Sequence, residues 1–140
     1  MNKKLKIASI MLYVVAGVAL LFGLLYSFSP TLMPYHERAL GMTHEQLQPE
    51  VAALFLTMMR VIGASLLSIG VALALLVKGP FSKGDRWAWW IILLMGLICL
   101  VPLLFITLNV GLYSPWWVVG ILIILEIVAL AISRSPSSGK

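Results

Sequence analysis

The chain has 140 residues, of which 61% are apolar and only 11% charged, with a formal net charge of +5 and a mean hydropathy of +1.05. An ordinary soluble domain is roughly 45–50% apolar and about 25% charged, so a soluble globular enzyme and a disordered chain are both excluded. A single cysteine, Cys99, excludes a disulfide scaffold, and 11 Gly with 7 Pro exclude a collagen-like repeat. A small integral membrane protein is what remains.

The pattern predicts an all-α bundle of four membrane helices in a single domain. The first span covers residues 7–28, which carry no charge; at about 1.5 Å per residue such a run crosses a hydrocarbon layer of roughly 30 Å. Its charged start resembles the n-region of a signal peptide, but the apolar run is long for an h-region and no A-x-A site follows, so an uncleaved span is expected. The second span, residues 51–77, contains one charge, Arg60. The third, residues 87–108, contains none, and the fourth, residues 116–133, contains Glu126.

Boundary chemistry agrees with these spans. Gln48-Pro49-Glu50 puts a proline at the first helical position and an acid in the first turn, and Ser114-Pro115 repeats the proline start for the fourth span. Lys78-Gly79-Pro80 ends the second span, and Asp85 is positioned to cap the third. Trp87, Trp89 and Trp90 mark one end of the third span and Trp116 and Trp117 one end of the fourth, as amphipathic rings do at headgroup level.

Lysine and arginine set the orientation. With the amino terminus inside, Lys3, Lys4, Lys6, Lys78, Lys83, Arg86, Arg134 and Lys140 all lie on the inner side, against Arg38 alone in the outer loops. The positive-inside rule then predicts both termini in the cytoplasm, with loops 29–50 and 109–115 outside. The same topology accounts for the net positive charge through contact with anionic lipid heads, so no nucleic-acid partner is implied. The last residues, Ser-Arg-Ser-Pro-Ser-Ser-Gly-Lys, form a short polar end expected to be mobile.

The outer loop, 29–50, is the one sizeable segment outside the spans and is expected to fold over the outer mouth. Pro34 to Leu40 reads as a short helix ended by Gly41, and Thr43-His44-Glu45-Gln46 matches the capping box T-x-x-Q. Within it His36-Glu37 and His44-Glu45 repeat a His-Glu pair eight residues apart. Two histidines and two carboxylates are zinc-ligand types, but metal-binding helices place histidines three or four apart and Gly41 interrupts the segment, so solvated or interfacial side chains are expected and no metal.

Arg60 and Glu126 are the informative intramembrane residues. Each lies ten residues from the outer end of a span running inward, or about 15 Å deep, close to the midplane. An isolated charge there is costly and normally faces the bundle interior in a pair, so an ion pair joining the second and fourth spans is expected. The faces agree: Ala53, Thr57, Gly63, Ala64, Leu67, Val71 and Ala74 share the side of Arg60, and Val119, Leu122, Ala129 and Ser133 share that of Glu126. Two readings stay open, a buried staple that sets helix register and a glutamate that titrates or binds a cation or amine with Arg60 tuning it.

Other residues carry less. Cys99 sits mid-span without a base or second thiol and reads as a small packing residue. Pro102 is expected to kink the third span, and the seven methionines form no spaced array that would hold copper. No nucleophile elbow, P-loop, Rossmann glycine pattern, HExxH or paired-cysteine motif occurs.

Three stretches carry a family resemblance: FSPTLMPYHERALGMTHEQL from Phe28 to Leu47, LTMMRVIG from Leu56 to Gly63, and GPFSKGDRWAW from Gly79 to Trp89. They resemble a small uncharacterised family of four-span bacterial membrane proteins, and the layout is more distantly similar to DoxX-like proteins. The resemblance implies a four-helix bundle in a bacterial inner membrane and carries over no catalytic residue or cofactor. Small multidrug transporters are also four-span proteins with one embedded glutamate, but theirs lies in the first helix, where this chain has no acid. Sterol-isomerase-like four-span proteins need several intramembrane acids and histidines, and here Glu126 stands nearly alone. The expected function is therefore non-enzymatic: an accessory or lipid-contacting subunit that packs with itself or a larger complex, or holds a lipid between its helices. A proton- or cation-coupled small-molecule transporter using Glu126 comes second, and a lipid- or quinone-modifying enzyme working at His36 and His44 third.

Overall fold

The computed structural model describes residues 2–134; the remainder of the polar tail, 135–140, lies outside the described residues. Five α-helices follow in order: α1 (Lys3–Phe28), α2 (Pro34–Leu40), α3 (Pro49–Lys78), α4 (Arg86–Val110) and α5 (Trp116–Arg134), with 3₁₀ turns at His44–Gln46 and Phe81–Lys83. Among the described residues there is no strand. Four of the helices, all but α2, are long and apolar enough to cross a membrane, as the uninterrupted apolar runs dictate once backbone groups must be satisfied within each segment.

The helices overrun the apolar runs by a turn where polar residues can continue them. The first begins at Lys3 rather than Ile7, with the Asn2 side chain accepting from the Lys4 backbone N–H. Pro49 opens α3 with Glu50 in its first turn, and Gly41, at φ 67°, ends α2 in the left-handed region that glycine tolerates. The capping box forms, with Gln46 Oε1 accepting from the Thr43 N–H at 2.9 Å. Asp85 stands at the N-cap of α4 but makes no capping hydrogen bond, and α4 runs through Pro102 as one continuous helix.

Packing order differs from chain order. Helix α1 lies at the centre, with α3 on one side and α5 on the other; α4 packs on α5, and α3 meets α4 only sparsely. The core is built by Ala8, Leu12, Val15 and Ala16 of α1, Leu73 and Val77 of α3, Phe81, Ala88 and Ile92, and Val119, Leu122, Ala129 and Leu130 of α5. At the end that carries Leu5, Arg86 and Ser133, the Trp89 indole N–H donates to the Leu130 carbonyl at 2.9 Å and ties α4 to α5.

The tightest seam is α1 against α3. A Cβ on Gly63 would lie 2.6 Å from the Ser27 backbone nitrogen and 2.8 Å from the Gly23 carbonyl oxygen; one on Gly23 would lie 2.9 Å from the Leu67 nitrogen. Only glycine permits backbones this close, the small-residue packing that membrane helices use where water supplies no hydrophobic drive. This seam decides which way α3 faces. Its buried residues are Ala52, Met59, Gly63, Gly70, Leu73 and Val77, whereas Ala53, Thr57, Arg60, Ala64 and Val71 of the expected inner face are exposed. The expectation was displaced by part of a turn because it was centred on the charge instead of on the glycines.

Candidate functional site

The structure does not bring Arg60 and Glu126 together. Arg60 is exposed on α3, and α3 and α5 are separated by α1 rather than packed as neighbours. Glu126 is only 6% exposed, on the expected α5 face with Val119, Leu122 and Ala129, all buried. The expected staple between the second and fourth spans is therefore replaced by two separate features. The hydroxyls beside Arg60 are satisfied within their own helix, Thr57 donating to the Ala53 carbonyl at 2.8 Å and Ser68 to that of Ala64 at 3.0 Å.

Glu126 instead faces an elongated cleft. Its walls come from α1 (Val15, Val18, Ala19, Phe22, Tyr26), α3 (Ile62, Leu66, Ile69, Leu73), α4 (Ile92 to Thr107) and α5 (Val118, Val119, Leu122, Glu126). The cleft holds about 870 Å³ of empty space, its open side included. It follows α4 from Ile92 to Thr107, about 22 Å at 1.5 Å per residue. Its origin is the sparse meeting of α3 and α4: α3 is held by its glycines against α1, so its Ile62-Leu66-Ile69 edge fronts a gap.

The Glu126 carboxyl occupies a notch in the cleft wall. A Cβ on Gly96 would collide with both its oxygens, so the absence of a side chain there makes room for the acid halfway along α4. Cys99, one turn further along α4, lines the same wall. Among the described residues no hydrogen bond reaches the Glu126 carboxyl. Elsewhere in the cleft the polar groups are already engaged: Thr107 donates to the Leu103 carbonyl at 2.9 Å, and the Tyr26 and Tyr35 hydroxyls bond to each other. The walls are otherwise apolar.

The loop 29–48 packs on Tyr26, at one end of this cleft, as an outer cover that we call the lid. Tyr35 of α2 holds Tyr26, His36 packs edge-on to both rings, with its ring centre 4.4 Å from that of Tyr35, and Arg38 lies 5.3 Å above the Tyr113 ring in the α4–α5 loop. Leu32, 3% exposed, anchors the segment. Of the repeated His-Glu pairs, Glu37 Oε1 accepts from the His44 backbone N–H at 2.8 Å, which secures the 3₁₀ turn, while Glu45 is exposed. His36 and His44 each bury an Nδ1 without a partner, and burial lowers the His36 pKa below its ordinary value. Among the described residues no group of three or more His, Cys, Asp or Glu is placed to hold a metal ion.

Sequence reasoning found Glu126 but missed its surroundings. Gly96 drew no notice and Cys99 read as packing; the available signal was Gly96-x-x-Cys99, two small residues sharing a helix face at the depth of an acid. No protein-family model matches this chain, and no curated protein or solved structure is significantly similar to it.

Proposed function

We propose that this is a non-enzymatic, multi-pass membrane protein that holds a slender apolar molecule, such as a lipid or isoprenoid chain, in the cleft between α1, α3, α4 and α5. The single observation that carries this reading is a long, mainly apolar cleft whose one carboxyl, Glu126, has no hydrogen-bond partner among the described residues. The cleft's fronting edge on α3 includes Ile62, which is 45% exposed, so a membrane-dissolved molecule reaches it sideways from the bilayer without passing through water. Apolar walls with a few placed polar groups are the usual composition of small-molecule sites. Basic-residue asymmetry supports both termini in the cytoplasm and the loop 29–48 outside, and the resemblance to four-span bacterial and DoxX-like proteins supports a bacterial inner membrane as its setting. Packing as a subunit with itself or a larger complex is compatible with this role, through the outward face of α3 that carries Arg60.

The reading is tested by purifying the protein in mild detergent and identifying bound lipid by native mass spectrometry, beside a Val18→Phe variant that fills the cleft. Retained lipid in the parent and its loss in a folded Val18→Phe protein is the expected result; equal retention in both sinks the proposal. A second reading, a proton- or cation-coupled transporter using Glu126, is favoured by the lid over the cleft's end. It predicts ligand movement across vesicles that Glu126→Gln abolishes.

A further inference from the structure

Resting on that reading of the cleft, we infer that its ligand is a lipophilic amine, a single apolar chain whose ammonium group pairs with Glu126. Shape gives the chain. The cleft is long, and its walls between Gly96 and Thr107 offer aliphatic and aromatic carbon, with the Thr107 and Tyr26 hydroxyls already engaged and the Cys99 thiol the one weakly polar group besides Glu126 among the described residues. Burial gives the head. Glu126 is only 6% exposed, faces the cleft at the mid-depth of α4 and α5, and has no hydrogen-bond donor among the described residues.

Among the described residues no cation of this chain pairs with Glu126. Arg60 is exposed on a helix that does not pack against α5, and among the described residues the lysines, Lys3, Lys4, Lys6, Lys78 and Lys83, lie at helix ends and in the loop between α3 and α4. A buried carboxyl without a partner is costly, and a partner that is both cationic and a donor relieves that cost better than a neutral one. An ammonium supplies both, with three donors for two carboxylate oxygens. A carbonyl or ether head could pair only with the protonated acid, whereas an ammonium pairs with the ionised one, and a phosphate head would set like charges against each other.

Gly96 fits the same role. The carboxyl is seated against the bare backbone of α4, where any Cβ would collide with it, so the missing side chain leaves it room beside the cleft. A purely structural glutamate would be expected to spend its oxygens on a neighbouring helix; this one does not.

The test uses the full chain in phosphatidylcholine nanodiscs and three radiolabelled probes of matched length, dodecylamine, dodecanol and tridecane, with empty discs subtracted. Dodecylamine is expected to be retained over tridecane by about tenfold or more, the factor that a charge-assisted hydrogen bond supplies, and the preference should fall to within about twofold in Glu126→Gln. Equal retention of amine and tridecane, both abolished by Val18→Phe, would overturn the amine while leaving the apolar cleft standing. Dodecanol retained as well as dodecylamine would overturn the need for a cation. Retention of no probe above empty discs would remove both the amine and the cleft reading. Should Glu126→Gln fail to fold, the three-probe series in the parent protein decides alone.

Discussion

Helix α3 has two sides that treat space in opposite ways. Towards α1 it is closed to backbone contact, with Gly63 against Ser27 and Gly23 and Gly70 against Leu20 and Ala16. Towards α4 it leaves a cleft fronted by Ile62, Leu66 and Ile69. Both sides are apolar, so hydrophobicity does not distinguish them. Residue size does: in a bilayer, helix association gains from close van der Waals contact, and glycines draw α3 onto α1 while branched side chains keep it off α4. A cleft beside a tight seam is a way to hold a cavity open without the bundle collapsing into it.

The seam is broken most severely by a side chain at its closest point. Gly63→Val should destabilise by about 3 kcal/mol, because the obstruction is the backbone of Ser27 and Gly23 and not a movable side chain; thermal unfolding in mild detergent measures it. A loss smaller than that of an exposed substitution such as Ala64→Val would mean that the two helices are not held there. On the cleft side Gly96→Ala should cost less, about 1–2 kcal/mol, since the Glu126 carboxyl is the far end of a flexible side chain and can swing away. The sharper consequence is functional, because a displaced carboxyl should lose dodecylamine while tridecane still enters.

The lid gives a smaller, pH-dependent effect. Burial holds the His36 pKa below its ordinary value of 6.5, so the docked lid binds fewer protons than the released one. Docking is therefore complete above about pH 6.5 and weakens as pH falls through the lowered value, since protonation would put a charge on a buried ring whose Nδ1 has no partner. Backbone hydrogen exchange over 34–47, corrected for intrinsic rates, should rise between about pH 7.5 and about pH 5 in the parent and stay flat in His36→Phe. The smallest expected effect is a coupling energy. In a double-mutant cycle of Arg60→Leu and Glu126→Leu, the two changes should add to within about 0.5 kcal/mol, because α1 stands between their helices. A double variant largely rescued relative to its singles would restore a direct pair and leave Glu126 with a partner within the chain.

Particular residues show how far sequence reading reached. Gly41, Pro49 and the Thr43–Gln46 capping box mark local backbone events, and each appears where its chemistry requires. The inward face of α5 was also legible, because Val119, Leu122, Glu126 and Ala129 recur at helical spacing. Arg60 was misleading for a physical reason. The rule that intramembrane charge turns inward describes an energy cost, and in α3 the seam made by Gly63 and Gly70 sets the rotation instead, leaving Arg60 on the outside.

The sequence by itself determined the spans, the helical class, the short lid helix and the burial of Glu126, since all of these follow from runs, periods and caps within a few turns of chain. Only the tertiary structure decided the neighbours. That α1 sits between α3 and α5, that Gly96 makes room for the Glu126 carboxyl, and that α3 and α4 part to form the cleft all depend on which small residues meet across helices. Such meetings join positions as far apart as Gly23 and Gly63 or Gly96 and Glu126, and close packing between distant segments is set by shape that no local pattern encodes.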